Sequence, residues 1–284
     1  MDARLQRLYD VIRPLRSVVV AFSGGVDSTL LLKACLDTLG HDNVLAVTAK
    51  SELYPDEEVN AARAMAEALG AKQIIIETDE LSDERFVRNP PERCYFCKQE
   101  LFSKLWQIAH KYGMNVVVDG SNADDASDFR PGMQAACELD VRSPLKEAGL
   151  TKADIRELSR ALGLPTWNKP AMACLASRFP YHYALSSKEL RMVGEAERFI
   201  RNLGVRQVRV RHHGLLARIE VLPEDIQRLV ASDVRERLVN KLRELGYLWV
   251  TLDLRGYHSG SFNEMLDAEQ RTRPISARGS EPSR

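Results

Sequence analysis

The chain has 284 residues, 44% of them hydrophobic, which is enough for one substantial core and a smaller second one, so we expect two domains. Its 40 basic and 40 acidic residues cancel, which excludes a strong overall attraction to nucleic acid or to a membrane surface. No stretch approaches the roughly 20 apolar residues of a transmembrane helix, and the amphipathic start lacks the apolar run of a signal peptide, so we expect a cytoplasmic protein.

The first half of the chain alternates short apolar runs with longer helical patterns. This order predicts an α/β domain over residues 1–165, built on a doubly wound parallel sheet that binds ligands at the carboxyl ends of its strands. The predicted strands are 18–22, 44–48, 73–77 and 115–118, and the predicted helices are 28–39, 56–69, 98–112 and 151–162.

The second half has a different character. Residues 166–185 hold three prolines and little periodicity, which predicts a connecting loop that carries function. Residues 186–266 predict a smaller α+β domain. Its elements are a helix at 186–203, strands at 207–212 and 216–221, helices within 223–245 and a strand at 247–254. The polar tail, 267–284, has a composition typical of disorder.

The segment SGGVDS at 23–28 stands where the first predicted strand meets a helix. Glycines allow a tight turn there, and the free N–H groups of a helix start favour an anion. The segment lacks the Lys of a Walker A loop, which indicates a different phosphate cleavage. A second segment with Asp119 and Gly120 ends a strand at the same edge of the sheet. For residues 23–28, the alternative to an anion site is an ordinary strand–turn–helix corner.

The segment resembles the PP-loop of the ATP pyrophosphatase superfamily. This resemblance implies that ATP is cleaved between its α- and β-phosphates, with magnesium shielding the phosphates and adenylate passing to the substrate. Lys146, in a segment that also resembles the superfamily, is a candidate phosphate ligand, although a solvated lysine is the more frequent outcome. The matching loop residues are Ser23, Gly24, Gly25, Asp27 and Ser28.

Three of the five cysteines lie in positions suited to chemistry. Cys94 and Cys97 form a C-x-x-C pair that we place just before a helix, and Cys174 lies in the proline-bounded loop. A zinc site lacks its usual four ligands, whereas three cysteines can hold a 4Fe–4S cluster with one iron free. Incidental thiols stay an alternative. Cys35 and Cys137 are predicted to be small core residues.

The PP-loop, the loop ACLASRFPY around Cys174 and the Arg-His-His segment at 211–213 together resemble the LarE family of sulfur transferases. This resemblance implies adenylylation of the carboxylates of pyridinium-3,5-biscarboxylic acid mononucleotide, a small-molecule nucleotide, and their conversion to thiocarboxylates for a nickel-pincer cofactor. In one branch of the family the cysteine matching Cys174 gives up its own sulfur. The three-cysteine branch, with sulfide on a cluster iron, is the better match to this sequence.

Four further residues are candidates for the site. Ser177 and Arg178 follow Cys174, and Arg178 is suited to a bidentate contact with a phosphate or carboxylate, with a surface arginine as the alternative. Arg209 and Arg211 share one face of a predicted strand and form a cationic patch. A phosphate site there, with homo-oligomer contacts nearby, is implied by the resemblance, and salt bridges to Glu195 or Glu197 are the alternative.

Two other functions fit part of the sequence. A cluster-dependent tRNA thiolase ranks second, because the chain shows neither a basic groove nor aromatic and basic residues interleaved. A non-catalytic ATP sensor or cluster carrier would bind nucleotide without releasing pyrophosphate. The sequence does not identify the donor that reloads the sulfur or the nickel enzyme that receives the product.

Overall fold

The computed structural model describes residues 2–127, 131–170, 173–258 and 260–266. The predicted disordered tail, 267–284, lies outside these ranges. The strands are β1 (Val18–Ala21), β2 (Val44–Lys50), β3 (Lys72–Glu77), β4 (Val116–Val118), β5 (Val208–His213), β6 (Leu216–Val221) and β7 (Trp249–Leu252). The α-helices are α1 (Ala3–Ile12), α2 (Val26–Leu39), α3 (Asp56–Ala68), α4 (Glu84–Val87), α5 (Arg93–Tyr112), α6 (Pro131–Glu138), α7 (Pro144–Glu147), α8 (Lys152–Ala161), α9 (Ser187–Asn202), α10 (Pro223–Val230) and α11 (Ser232–Glu244).

The chain divides into two compact units, which are not continuous in sequence. The first comprises residues 1–51, 55–80 and 92–172, and the second comprises 52–54, 81–91 and 173–284. The segments 52–54 and 81–91 therefore belong to the second unit. The predicted division into the continuous ranges 1–165, 166–185 and 186–266 places both segments in the first domain. Within the described ranges, no helix has both the length and the apolar character needed to cross a membrane.

The first unit contains a parallel sheet in the order β3-β2-β1-β4, with helices on both faces, as predicted. Alternation along β1 divides the core between the faces. Val18 and Val20 pack with apolar residues of α1, α2 and α8, whereas Val19 packs with Phe102 and Leu105 of α5. Because adjacent side chains of a strand point to opposite faces, a continuous run of valines fills both cores.

The second unit contains a three-stranded sheet in the order β5-β6-β7. Strands β5 and β6 are antiparallel, and β6 and β7 are parallel. Helices α9, α10 and α11 belong to this unit, so its mixture of elements is the predicted α+β type. Strand β7 covers only 249–252 of the predicted 247–254, because pairing with β6 is limited to those residues.

Two differences between the first unit and the sequence predictions concern cysteines. Helix α5 begins at Arg93 rather than Lys98, with Glu92 as its N-cap after two prolines, so Cys94 and Cys97 lie inside the helix and not before it. Helix α6 was not predicted. It buries Ala135 and Ala136 and leaves Cys137 exposed, so the prediction of a core Cys137 is wrong, whereas Cys35 is buried as predicted.

Candidate functional site

The loop at 23–28 joins β1 to α2 and leaves the start of that helix open. Gly25 is the N-cap, and its carbonyl accepts the first helical hydrogen bond, from the Thr29 N–H at 3.0 Å. The N–H groups of the first helical turn have no partner inside a helix, so they are available to an anion. The hydroxyls of Ser23 and Ser28 lie 3.1 Å apart and close the loop. This geometry suits a bound phosphate.

Gly24 is required by its backbone and by its neighbour. Its φ of +66° lies in the left-handed region, and a Cβ built on it would lie 2.8 Å from the Ala62 Cα of α3. No real Cβ tolerates that distance to backbone, and the conformation itself disfavours other residues. The close approach of α3 therefore depends on glycine at this position.

Asp27 of the loop is bound by two residues that the sequence analysis did not select. Lys152 forms an ion pair with its carboxylate, and the Asn122 amide donates to it at 3.4 Å. Lys152 is the first residue of α8, directly after the cap Thr151. The sequence analysis placed the start of this helix at residue 151, and the lysine directly after that start was the signal that could have led to this residue.

Lys169 also contacts the loop. Its Nζ donates to the Gly24 carbonyl at 3.2 Å and to the Glu58 carboxylate of α3 at 2.8 Å. Lys169 follows the predicted helix at the start of an irregular segment, and nothing in its local pattern links it to residue 24. Only the folded chain identifies this lysine as part of the site.

The segment after β4 meets the loop, as expected from the shared edge of the sheet. A Cβ on Gly120 would lie 3.2 Å from the Ser28 backbone nitrogen, so the two segments are in contact. Asp119 is buried and accepts hydrogen bonds from the hydroxyls of Ser121 and Ser143, at 2.7 and 2.6 Å. Asp119 thus fixes the segment rather than facing solvent.

Lys146 lies on the short helix α7 and is half-buried. Within the residues that the structure describes it has no hydrogen bond or ion pair, in contrast with Lys152 and Lys169. Its proposed contact with phosphate stays a prediction.

Cys94 and Cys97 lie in the first unit, in the opening turns of α5. Cys94 is exposed, and the Cys97 thiol donates to a carboxylate oxygen of Glu80 at 3.6 Å. Glu80 is itself buried, and this burial raises the pKa of its carboxyl. Across the described ranges, no three His, Cys, Asp or Glu side chains are grouped so that they could hold a metal ion.

Cys174 belongs to the second unit, where it caps a short 3-10 turn, Leu175–Arg178. Arg178 is fully buried, not a surface residue, and it forms a two-pronged ion pair with the buried Glu197 at 2.7 and 2.9 Å. Its remaining donor group, Nη1, bonds to the carbonyls of Ala173 and Cys174 and to the Ser177 hydroxyl. With these contacts, all three guanidinium nitrogens of Arg178 bond within the protein and hold the loop.

Arg209 and Arg211 share one face of β5, as predicted, but both are buried and so do not form a patch open to solvent. Arg211 pairs with Glu220 of β6 at 2.7 Å, not with Glu195, and donates to the Ser177 carbonyl at 2.9 Å. The aromatic rings of Tyr257 and Phe262 lie against the two guanidinium groups. Burial lowers the pKa of Arg209 to about 10.

Comparison with known proteins agrees with the first unit's geometry. A family model described as NAD synthase matches residues 8–126, which include the loop at 23–28 and the Asp119 segment. The chain is also 29% identical, over 52% of its length, to 38% of argininosuccinate synthase from Haloarcula marismortui.

Two relatives extend over almost the entire chain. An uncharacterised protein of Synechocystis sp. is 44% identical over 94% of this chain and 99% of its own length. Pyridinium-3,5-bisthiocarboxylic acid mononucleotide synthase from Lactiplantibacillus plantarum is 43% identical over 93% of this chain and 95% of its own length. The chain therefore belongs to the LarE family of ATP-using sulfur transferases, within the PP-loop superfamily.

Proposed function

We propose that the protein adenylylates the carboxylates of pyridinium-3,5-biscarboxylic acid mononucleotide and converts them to thiocarboxylates in nickel-pincer cofactor biosynthesis. The observation that carries this proposal is the open anion site at the start of α2. It is supported by the 43% identity to the Lactiplantibacillus plantarum synthase over nearly the full length of both proteins. A carboxylate needs activation by ATP, because its oxygen becomes a good leaving group only when it is part of an anhydride with phosphate.

For the activation step, the N–H groups of the loop and the ammonium groups of Lys152 and Lys146 bind the ATP phosphates. Asp27 fits magnesium, because its carboxylate is partly exposed beside the loop and hard cations prefer oxygen ligands. Since Lys152 pairs with Asp27 in this structure, metal binding at Asp27 would release the lysine to a phosphate oxygen. The substrate's carboxylate then attacks the α-phosphorus and displaces pyrophosphate.

For the sulfur source, we propose first a 4Fe–4S cluster held by Cys94, Cys97 and Cys174. Cys94 and Cys97 fit two of the ligand positions, because they are three residues apart on α5 and so share a side of the helix. Cys174, the third ligand of this proposal, belongs to the second unit. When bound, the cluster would supply sulfide as a nucleophile on its free iron.

A second candidate is sacrifice of Cys174, and one observation favours it. The Cys174 carbonyl accepts three hydrogen bonds, from the Ser177 N–H at 3.0 Å, the Ser177 hydroxyl at 2.8 Å and Arg178 Nη1 at 3.0 Å. Donors in this position stabilise the enolate that forms when the Cα proton is removed.

In that route the Cys174 thiolate first displaces AMP from the acyl adenylate and forms a thioester. The Cα proton then passes to solvent, its electron pair forms the Cα–Cβ double bond, and the Cβ–Sγ bond breaks. Sulfur leaves with the substrate as a thiocarboxylate, and dehydroalanine remains at position 174. No oxidant is needed, and each chain can supply one sulfur atom.

We propose that the buried Arg209 and Arg211 stabilise the second unit around Ser177. In this proposal, either arginine contacts the substrate phosphate only after its present bonds have rearranged. We also retain a homo-oligomer as the working form. A tRNA thiolase and a non-catalytic ATP sensor are the competing functions. In the first, Cys174 and the loop at 23–28 would serve the thiolation of tRNA, and in the second the loop would bind ATP without a reaction.

One experiment separates these functions. The protein is purified anaerobically, analysed for iron and sulfide, and incubated with ATP, magnesium and the biscarboxylate mononucleotide. Pyrophosphate release with formation of thioacid supports the proposal, whereas thiolation of tRNA or nucleotide binding without pyrophosphate release contradicts it. Intact mass then decides the source, because loss of one hydrogen sulfide at Cys174 indicates sacrifice and an unchanged mass with bound iron indicates the cluster.

A further inference from the structure

The proposed function uses Cys174 but does not explain the charged pair beneath it. Arg178 and Glu197 are both completely buried, and two hydrogen bonds of 2.7 and 2.9 Å join them. Removing two charges from water is costly, and a buried pair adds little net stability compared with apolar side chains of similar size. The pair therefore calls for an explanation other than stability.

Arg178 makes direct contact with the cysteine loop, which we define as residues 173–178. Its Nη1 donates to the Ala173 carbonyl at 2.7 Å and to the Cys174 carbonyl at 3.0 Å. Both peptide groups that flank the Cys174 Cα thus have their carbonyl oxygens fixed by one cation. Because the guanidinium is planar and rigid, its orientation sets the orientation of both peptides.

Glu197 fixes the guanidinium in turn. This carboxylate, on α9, also accepts from the Val210 N–H of β5 at 3.1 Å and from Arg201 at 2.7 Å. Through Arg178 and Glu197, the cysteine loop is therefore connected to two regular elements of the same unit, helix α9 and strand β5. Burial acts to raise the pKa of Glu197, but the attraction and hydrogen bonds of Arg178 together with the nearby Arg209 and Arg201 outweigh it and lower the pKa, which favours the charged pair.

Other contacts fix the loop at neighbouring points. The Leu175 N–H donates to the Leu53 carbonyl at 2.9 Å, and Arg211 donates to the Ser177 carbonyl at 2.9 Å. A Cβ on Gly194 of α9 would lie 3.2 Å from the Leu175 side chain, so the helix approaches the loop closely. These contacts bind the residues after Cys174, whereas Arg178 binds the carbonyls of both Ala173 and Cys174, on the two sides of the Cys174 Cα.

We propose that Arg178 and Glu197 are positioning residues that fix the backbone of Cys174 for sulfur transfer and take no part in activation of the substrate by ATP. This inference rests on the proposed function. It assigns Arg178 a role in the protein interior, in place of the contact with substrate phosphate or carboxylate that its sequence position suggests.

The test compares Arg178→Ala, Arg178→Lys and Glu197→Gln with the unchanged protein. We expect substrate-dependent pyrophosphate release within about twofold of the unchanged protein and thioacid formation lowered about 100-fold, the order expected when a reacting group is misplaced by about 1 Å. Added guanidinium should restore part of the thioacid formation in Arg178→Ala, because it can occupy the space of the missing group. Hydrogen exchange of the 173–178 amides should become faster in all three variants.

Arg201→Ala is the matched control. Arg201 binds the same Glu197 carboxylate but makes no bond to the cysteine loop, so its loss should leave thioacid formation within about twofold. Equal losses in Arg201→Ala and Arg178→Ala, or a parallel loss of pyrophosphate release and thioacid formation, would overturn the inference. If Arg178→Ala does not fold, the charge-conserving Arg178→Lys provides the same comparison.

Failure of the proposed function has a different signature. The unchanged protein would then release no pyrophosphate in response to the biscarboxylate mononucleotide. Exchange at residues 173–178 still decides the inference in that case, because faster exchange in Arg178→Ala supports the positioning role and unchanged exchange refutes it.

Discussion

At position 24 the backbone and the packing make separate demands on one residue. Gly24→Ala introduces strain at φ +66° and a Cβ 2.8 Å from the Ala62 Cα, so the loop must shift away from α3. We expect ATP binding to weaken at least about tenfold and the free energy of unfolding to fall by about 2 kcal/mol. Isothermal titration with ATP and urea unfolding measure the two effects.

Gly113→Ala is the control for backbone strain. Gly113 has the same φ of +66°, but a Cβ there meets nothing within 4 Å. This variant should lose about 1 kcal/mol of stability and keep its ATP affinity. If both variants bind ATP as the unchanged protein does, the loop does not hold the nucleotide in the way we propose.

His212, on β5, makes the stability of the protein depend on pH. Burial lowers the pKa of its imidazole, and both ring nitrogens lie within 3.2 Å of tyrosine hydroxyls, those of Tyr183 and Tyr247. The unfolded chain takes up this proton first, so stability should be full above the ordinary histidine pKa of about 6.5 and should fall as the pH drops through it.

Urea unfolding at pH 7.5 and 5.5 checks this sign. The decline at pH 5.5 should be smaller in His212→Gln than in the unchanged protein, with the remainder due in part to His213, whose pKa is lowered by partial desolvation and by the nearby cation Arg218. His110→Gln, at an exposed position, should keep the full decline. An equal decline in His212→Gln and the unchanged protein would contradict the assignment.

At the scale of elements, the start of α8 connects a helix cap to the loop at 23–28. Thr151 and Asp154 form a capping box, and the next residue after the cap, Lys152, pairs with Asp27. We expect Thr151→Ala to lower the free energy of unfolding by about 1 kcal/mol and to weaken ATP binding severalfold, because a frayed first turn misplaces Lys152. Urea unfolding and ATP titration measure both quantities.

Ser186→Ala provides the matched comparison. Ser186 caps α9 in the second unit by accepting from the Glu189 N–H. Its loss should cost a similar amount of stability and leave ATP binding unchanged. A loss of ATP affinity in both variants would indicate that overall stability, and not Lys152, controls binding.

At the scale of the molecule, the residues that we propose for activation and for sulfur transfer belong to different units. Lys152 and Asp27 belong to the first unit, and Cys174 to the second. Cys174→Ser should therefore retain substrate-dependent pyrophosphate release and form no thioacid. Lys152→Met should lower both by about 100-fold, because the phosphates lose a charged ligand.

Paired assays of pyrophosphate and thioacid on the two variants test this separation. Lys33→Met, which removes an ion pair with Asp37 within α2, serves as the control and should retain both activities. Pyrophosphate release that disappears in Cys174→Ser would show that the two steps are not separable.

The amino-acid sequence by itself determined the parallel α/β fold, the strand–turn–helix corner at 23–28 and the α+β second half. These depend on local patterns, namely short apolar runs, helical periodicity and the glycines of SGGVDS, so the folded chain reproduces them. The predicted start of α5 at Lys98 is wrong because the C-x-x-C pair was interpreted as preceding the helix. The prediction that Cys137 is a core residue is wrong because α6 was not recognised.

Only the tertiary structure decided which charged residues meet. Lys152, Lys169 and Glu197 are 125, 145 and 19 positions from the residues they bind, Asp27, Gly24 and Arg178. An arginine that is fully buried and one that is solvated look alike in sequence, because burial depends on what the rest of the chain packs against it. The sequence therefore proposed the loop and Cys174 as candidates, and the fold showed which residues hold each of them in place.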